Sequence, residues 1–298
     1  MLCERVICAR NNTRVLTMNK VMVLGIVAFI FLGLAALAFI YLYQHQLSKT
    51  SALLGLKMSE HTLLEPQSAQ VLPYRLYRPK RKEGREILPL VVVLHGAGGR
   101  GSDNKKQLDY PSYFFTQGAI QKHHPSFVVT PQCPEGVEWN ALLSGAPPLL
   151  NYDMSQMEAS WREHGIERLV EDLSRRLPID PERIYVVGYS MGSSAIWSLL
   201  VHKPELFSAA LLLSGRGDPA MMKHVQTPLW VFHGDGDTVA PVENSQALVA
   251  ALHDLDKPAK LSVIEDGHNI VKQSLGLDVA SWLFSHRQSS GQTMGQPQ

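Results

Sequence analysis

Residues 183–192 read Arg-Ile-Tyr-Val-Val-Gly-Tyr-Ser-Met-Gly, and this stretch decides the fold that the sequence predicts. Its β-branched and aromatic first half is typical of a buried strand, whereas the residues after Ser190 are typical of a helix. Gly188 and Gly192 flank the serine as G-x-S-x-G, the pattern of a sharp strand-to-helix turn that exposes a nucleophile. Glycines remove the side chains that would clash there. We therefore expect Ser190 to be presented above a sheet.

A serine hydroxyl is a weak nucleophile and needs a neighbouring base, which an acid orients. The apolar run at 229–234 leads into Asp235 and Asp237, where the orienting acid is expected. We favour Asp237, because it lies beyond the Gly-rich turn, whereas Asp235 is better suited to forming that turn. His268 follows the last strand-like run and precedes the final helix. The order Ser, Asp, His therefore predicts a catalytic triad.

Stabilising an oxyanion requires backbone N–H donors near the serine. The helix that begins after Ser190 supplies one, the amide of Met191. A Gly-rich loop, Gly96-Ala-Gly-Gly99, follows an early apolar strand, and we expect the Ala97 amide to be the second donor. His95 and His233 each precede a glycine at a strand end, and we interpret both as structural.

Apolar β-branched runs alternate with helical stretches over the rest of the chain, and runs that are apolar throughout suit strands covered on both faces. The pattern predicts a three-layer α/β fold with a mostly parallel central sheet. The predicted strands are residues 71–78, 90–95, 127–130, 183–187, 209–213, 229–233 and 260–264, and the predicted helices are 165–177, 191–202, 242–255 and 273–286. Residues 139–164 break the alternation and are either a lid or binding loop or a plain surface excursion.

Composition excludes several classes of protein. The chain has 298 residues, 45% of them hydrophobic, and its formal net charge is +1. This balance gives no electrostatic case for a nucleic-acid partner. Cys3, Cys8 and Cys133 cannot form a disulfide framework or a spaced metal site. We expect no metal and no cofactor, because a triad and amide donors supply the chemistry of acyl transfer.

Residues 21–43 contain no charged side chain, and 23 residues in a helix are long enough to cross a bilayer. Basic residues are more numerous before this segment than after it, which favours an uncleaved signal anchor with the main domain on the extracytoplasmic side. A cleaved secretory signal is the alternative, with a secreted product. The predicted parts are a cytoplasmic N-terminus (1–20), a transmembrane anchor (21–43), a stalk (44–68), a catalytic domain (69–287) and a disordered tail (288–298).

The chain resembles the α/β-hydrolase superfamily, and within it the phospholipase/carboxylesterase and dienelactone-hydrolase-like esterases. The resemblance is carried by Leu94-His-Gly-Ala-Gly-Gly99, by the elbow at 188–192, by Phe232-His-Gly-Asp-Gly-Asp-Thr-Val-Ala-Pro241 and by Gly267-His-Asn269. It implies Ser190, Asp237 and His268 as the triad and Ala97 and Met191 as oxyanion donors. Relatives often have an aromatic residue soon after Gly-His-Asn, but Ile270-Val-Lys stands here.

These features together predict a serine esterase that acts on a small-molecule carboxylic ester through an acyl-enzyme. Trp139 and Tyr189 are the expected walls of the substrate pocket, although both aromatic side chains could equally belong to the core. Two alternatives stay open. One is a serine peptidase of prolyl-oligopeptidase type, and the other is a catalytically idle hydrolase fold that serves as a binding protein.

Overall fold

The computed structural model describes residues 26–38, 54–55, 57–66, 69–80, 86–140 and 160–288. The chain divides into two compact units, residues 1–49 and 50–298. In the first unit, residues 26–38 form a helix whose side chains are exposed. Within the described ranges, none of the helices combines the length and the apolar character that crossing a membrane requires. The predicted anchor at 21–43 extends beyond the described residues at both ends, so it stays a prediction.

The second unit is built on one eight-stranded sheet with the order β1-β2-β4-β3-β5-β6-β7-β8. Strand β2 is antiparallel to both β1 and β4, and every other neighbouring pair is parallel. The strands are β1 (Met58–Glu65), β2 (Gln70–Tyr77), β3 (Leu88–Leu94), β4 (Phe127–Pro131), β5 (Ile179–Tyr189), β6 (Ala209–Leu213), β7 (Leu229–Gly234) and β8 (Ala259–Ile264).

Helices cover both faces of this sheet. They are α1 (Tyr110–Thr116), α2 (Gly118–His123), α3 (Trp161–Arg176), α4 (Met191–His202), α5 (Val242–His253), α6 (Val271–Ser274) and α7 (Leu277–Phe284). Successive side chains of a strand point to opposite faces. Accordingly, Leu90 and Val92 belong to one core with α3, α4 and α5, whereas Val91 and Val93 belong to a second core with α1, α2 and α7. The predicted three-layer, mostly parallel α/β architecture is confirmed.

Two predicted boundaries need correction. The stalk at 44–68 includes β1, which pairs with β2 along its whole length and so belongs to the sheet. The single helix predicted at 273–286 is two helices, because Gly276 adopts an extended conformation between α6 and α7. The predicted tail beyond Gln288 lies outside the described residues. The same holds for residues 141–159 of the long predicted loop, whereas its last residues, from Trp161, begin helix α3.

Candidate active site

Ser190 lies at the junction of β5 and α4 in a strained conformation. Its φ is 54° and its ψ is −117°, in a region that residues other than glycine seldom adopt. The neighbouring backbone segments approach closely. A Cβ atom at Gly188 would lie 2.6 Å from the carbonyl carbon of Gly192, and one at Gly192 would overlap the carbonyl oxygen of Leu94. The amide of Ser190 donates to the carbonyl oxygen of Leu213 at 2.8 Å, which ties the turn to β6.

His268 lies between Ser190 and Asp237 and contacts both. Its Nε2 is 2.8 Å from Ser190 Oγ, and its Nδ1 is 2.7 Å from Asp237 Oδ2. The carboxylate can only accept, so Nδ1 carries the hydrogen and Nε2 is free to accept the serine proton. The structure therefore brings together the three side chains that the sequence predicts, although 78 residues separate Ser190 from His268.

Asp237 is held by hydrogen bonds on both of its oxygens. The amides of Val239 and Ala240 donate to Oδ1 at 2.8 and 2.9 Å. Burial alone would raise the pKa of this carboxyl, but the hydrogen bonds from Ala240, His268 and Val239 outweigh it and hold the pKa below its usual value. The carboxylate is therefore ionised and fixed. Asp235, the other candidate acid, is exposed, and its amide donates to Ile264 in the turn.

The two amides predicted as oxyanion donors flank Ser190. Met191 is the first residue of α4, so its N–H has no partner within the helix. Ala97 begins a short 3-10 turn (Ala97–Gly99) next to the serine, since a Cβ atom added to Gly96 would lie 3.4 Å from Ser190 Cβ. The hydrogen bonds found among the described residues use neither amide as a donor. Neither N–H group is therefore committed to another acceptor among these residues.

His95 contacts the loop that contains Ala97, residues 96–99. Its ring is buried, its Nδ1 lies 2.6 Å from the carbonyl oxygen of Gly96, and its Nε2 accepts from the amide of Cys133 at 3.0 Å. Burial lowers the pKa of His95 to about 4, against the opposing effect of the bond to Gly96. The ring is therefore neutral, in keeping with its structural interpretation.

The two predicted pocket aromatics differ in their surroundings. Trp139 has no exposed surface, and its indole N–H donates to the carbonyl oxygen of His95 at 3.1 Å. A side chain without accessible surface cannot contact a substrate in this conformation, so the pocket assignment for Trp139 is corrected to a core role. Tyr189 is half-buried, and its ring centroid lies 5.4 Å from that of His268. It remains next to the candidate triad.

Two residues that sequence reasoning left outside the site contact it directly. The hydroxyl of Ser214, at the end of β6, donates to the carbonyl oxygen of His268 at 3.0 Å. His233, interpreted above as structural, has its Nε2 3.1 Å from Asp237 Oδ2. Their position in the chain could have indicated them, because both residues lie where strands parallel to β5 end and so reach the same edge of the sheet. Their contacts depend on the tertiary structure and have no local motif.

Cys133 is shielded from solvent. Cys133 is fully buried, and burial raises the pKa of its thiol to about 12, which leaves no thiolate at neutral pH. Among the residues that the structure describes, no group of three or more His, Cys, Asp or Glu side chains could hold a metal ion.

Comparison with known proteins agrees with this architecture. A family model described as phospholipase/carboxylesterase matches residues 81–284. The chain is similar to a thermostable esterase of known structure, with 30% identity and a TM-score of 0.68, over 78% of this chain and 64% of that one. The chain thus spans less than two thirds of that esterase. No curated protein matches.

Two more distant structures share the fold alone. A ferulic acid esterase has 15% identity and a TM-score of 0.54, with 76% of this chain and 98% of that one covered. A dipeptidyl peptidase 4 from Porphyromonas gingivalis has 14% identity and a TM-score of 0.57, over 77% of this chain and 35% of that one. The family match covers most of the second unit and includes the serine elbow, the acid loop and the histidine loop. The chain belongs to the phospholipase/carboxylesterase family of α/β-hydrolases.

Proposed function

We propose that the protein is a serine hydrolase that cleaves carboxylic esters through an acyl-enzyme. The observation that carries this proposal is the continuous hydrogen-bonded chain from Ser190 Oγ through His268 to Asp237, with links of 2.8 and 2.7 Å. Such a chain makes a serine nucleophilic at neutral pH without a cofactor. The esterase family of the chain supports an ester as the substrate.

In the proposed reaction, Ser190 Oγ attacks the carbonyl carbon of the ester while His268 Nε2 takes the hydroxyl proton. Asp237 stabilises the resulting imidazolium through Nδ1. The carbonyl oxygen of the ester becomes negatively charged, and it accepts hydrogen bonds from the amides of Ala97 and Met191. Collapse of the tetrahedral intermediate breaks the bond to the alcohol, which leaves with the proton from His268.

A second displacement then restores the enzyme. Water gives a proton to His268 and attacks the acyl carbonyl. The acid is released when the bond to Ser190 Oγ breaks and the proton returns from His268 to the serine. Both steps use the same oxyanion donors, so no further group is required.

The first test is Ser190→Ala. We expect hydrolysis of p-nitrophenyl acetate to fall by at least about 10³-fold, because the nucleophile is lost, while the circular dichroism spectrum stays the same. A fluorophosphonate probe should label the parent chain at Ser190 and leave the variant unlabelled. Retained turnover or labelling in the variant would reject the assignment.

A peptide substrate is the main competing outcome, because ester and amide hydrolysis share the tetrahedral oxyanion. Assays of a p-nitrophenyl ester and a peptide p-nitroanilide at equal concentration separate the two. We expect kcat/KM to be far higher for the ester. Preference for the peptide would assign a peptidase, and the absence of both activities and of probe labelling would favour a binding protein.

We also propose that residues 21–43 anchor the chain in a membrane, with the catalytic domain on the extracytoplasmic side. The support is the uncharged 23-residue segment and the exposed apolar side chains of its described helical part, among them Phe29, Phe31 and Leu32. We expect the intact chain to sediment with membranes and to resist alkaline carbonate extraction. Leu32→Arg combined with Ala35→Arg should release it, since each arginine costs about 3 kcal/mol at the centre of a span. A shortened, soluble product would instead indicate a cleaved signal.

A further inference from the structure

His233 is a fully buried histidine at the end of β7 with three polar contacts. Its Nδ1 lies 2.7 Å from Ser245 Oγ on α5. Its Nε2 lies 2.8 Å from the carbonyl oxygen of Ala240 and 3.1 Å from Asp237 Oδ2. A buried histidine needs partners on both ring nitrogens, and here one of those partners is the carboxylate of the candidate triad.

The partners determine which nitrogen carries the hydrogen. The Ala240 carbonyl and the Asp237 carboxylate can only accept, so Nε2 must be the donor. Nδ1 of the neutral ring is then an acceptor, and the Ser245 hydroxyl donates to it. Burial lowers the pKa of His233, against the raising effects of Ala240 and Asp237. The ring is therefore a neutral donor at neutral pH.

Asp237 Oδ2 thus lies between two imidazoles with different tasks. His268 Nδ1 donates to it from the partly exposed side, and His233 Nε2 lies 3.1 Å away on the interior side, where its single hydrogen is shared with the carbonyl oxygen of Ala240. The other oxygen, Oδ1, is already occupied by the amides of Val239 and Ala240. Four groups therefore contact the carboxylate, and together they oppose its rotation away from His268.

We propose that His233 is a positioning residue of the candidate triad, and that Ser245 holds the buried ring in place through its bond to Nδ1. The inference rests on the proposed serine hydrolase function. A neutral donor suits this position, because it orients the carboxylate without adding a positive charge. A cation there would oppose the imidazolium that Asp237 has to stabilise at His268.

Few charged groups lie close to this cluster. Asp237 and His268 are the titratable groups that influence His233. The acids on the adjoining loops, Asp235, Glu265 and Asp266, are exposed to solvent, where their influence on a buried carboxylate is screened. A change in the pH dependence of catalysis after substitution of His233 would therefore report on Asp237 and His268.

Two substitutions of His233 separate positioning from packing. The side-chain amide nitrogen of glutamine can occupy the place of Nε2 and donate to Asp237, whereas that of asparagine reaches only the place of Nδ1. For His233→Asn we expect kcat to fall about 10- to 100-fold with KM within about twofold, because a hydrogen bond to a charged group is lost. His233→Gln should recover kcat to within about fivefold of the parent chain.

The pH dependence of kcat distinguishes positioning from packing, because loss of a residue that only packs would leave it unchanged. Without the interior donor, Asp237 concentrates more negative charge on the oxygen facing His268, so we expect the acid limb of kcat to move to higher pH in His233→Asn. Rates are expressed per site titrated with a fluorophosphonate, which removes any effect of misfolded protein. A lower melting temperature with unchanged kcat per site and an unchanged acid limb would overturn the inference.

Ser245→Ala keeps the proposal testable if His233→Asn does not fold. This variant leaves His233 and Asp237 in place and removes only the partner of Nδ1, so the buried ring loses one of the bonds that hold its Nε2 against Asp237. We expect kcat per titrated site to fall about three- to tenfold, with the same displacement of the acid limb. An unchanged kcat and an unchanged limb would overturn the inference. If the parent chain itself neither hydrolyses esters nor labels at Ser190, the proposed function has failed instead.

Discussion

At the scale of single residues, the conformation of Ser190 depends on glycines whose missing side chains let three backbone segments meet. Gly192 packs against the carbonyl group of Leu94, which precedes the loop with the Ala97 amide. The same contact thus sets the serine turn and brings the two candidate oxyanion donors to one place. The requirement for glycine at position 192 therefore also determines where the two candidate oxyanion donors lie.

Gly192→Ala tests this requirement. The added methyl group would overlap the Leu94 carbonyl, so we expect the free energy of unfolding to fall by about 1–3 kcal/mol, as in an overpacked core. Gly98→Ala is the matched control, because a Cβ atom at that glycine meets no atom within 4 Å, and its effect should stay within about 0.5 kcal/mol. Urea denaturation of both variants gives the comparison. Equal effects at the two positions would contradict the packing argument.

The sequence predicts the reactive side chains well, but it predicts poorly which residues hold them in place. Ser190, Asp237 and His268 each follow a recognisable strand, so their positions at one edge of the sheet follow from topology. The burial of Trp139 and the contact between His233 and Asp237 have no such local signal, because they depend on which distant segments pack together. The role of Tyr189 beside His268 stays a prediction.

At the scale of elements, the central strands were predictable because both of their faces are buried. Strands β5 and β6 and the helix α4 occur where the apolar runs predict them, and α4 and β6 have the predicted bounds. Strand β1 was missed because it lies at the edge of the sheet and alternates exposed polar with partly buried side chains, a pattern that resembles a polar linker. Its pairing with β2 is a tertiary property.

The C-terminal elements show the limit of periodicity. The helical pattern predicts one continuous helix over residues 273–286. Gly276, in an extended conformation, ends that continuity and begins α7. Both short helices still contribute apolar residues to the same core, with Val271, Val279 and Leu283 among them. The pattern therefore predicts helical structure correctly and the number of helices wrongly.

At the scale of the whole molecule, His95 and Asp109 couple the stability of the domain to pH, and they act in opposite directions. His95 has a folded pKa of about 4 against an ordinary value of 6.5, so the unfolded chain takes up the proton first as the pH falls. This contribution to stability is complete above about pH 6.5 and is lost towards pH 4. Asp109, at the start of α1, has a pKa raised by burial to about 6, so its contribution increases as the pH falls through the same range.

The two effects can be separated by substitution and denaturant titration at pH 7, 5.5 and 4.5. His95 is fully buried, so its shift corresponds to about 3 kcal/mol between pH 6.5 and 4. His95→Asn should reduce the loss of unfolding free energy on acidification relative to the parent chain, whatever its effect at pH 7. Asp109→Asn, which keeps a good helix cap, should increase that loss because the opposing group is gone.

The carboxyls with lowered pKa, including Asp237, titrate below this range, since the unfolded chain protonates them only near the ordinary aspartate pKa of 3.8. Parallel curves for all three chains would show that neither His95 nor Asp109 governs acid stability. Divergence in the two expected directions would assign the pH dependence of the unfolding free energy to both residues.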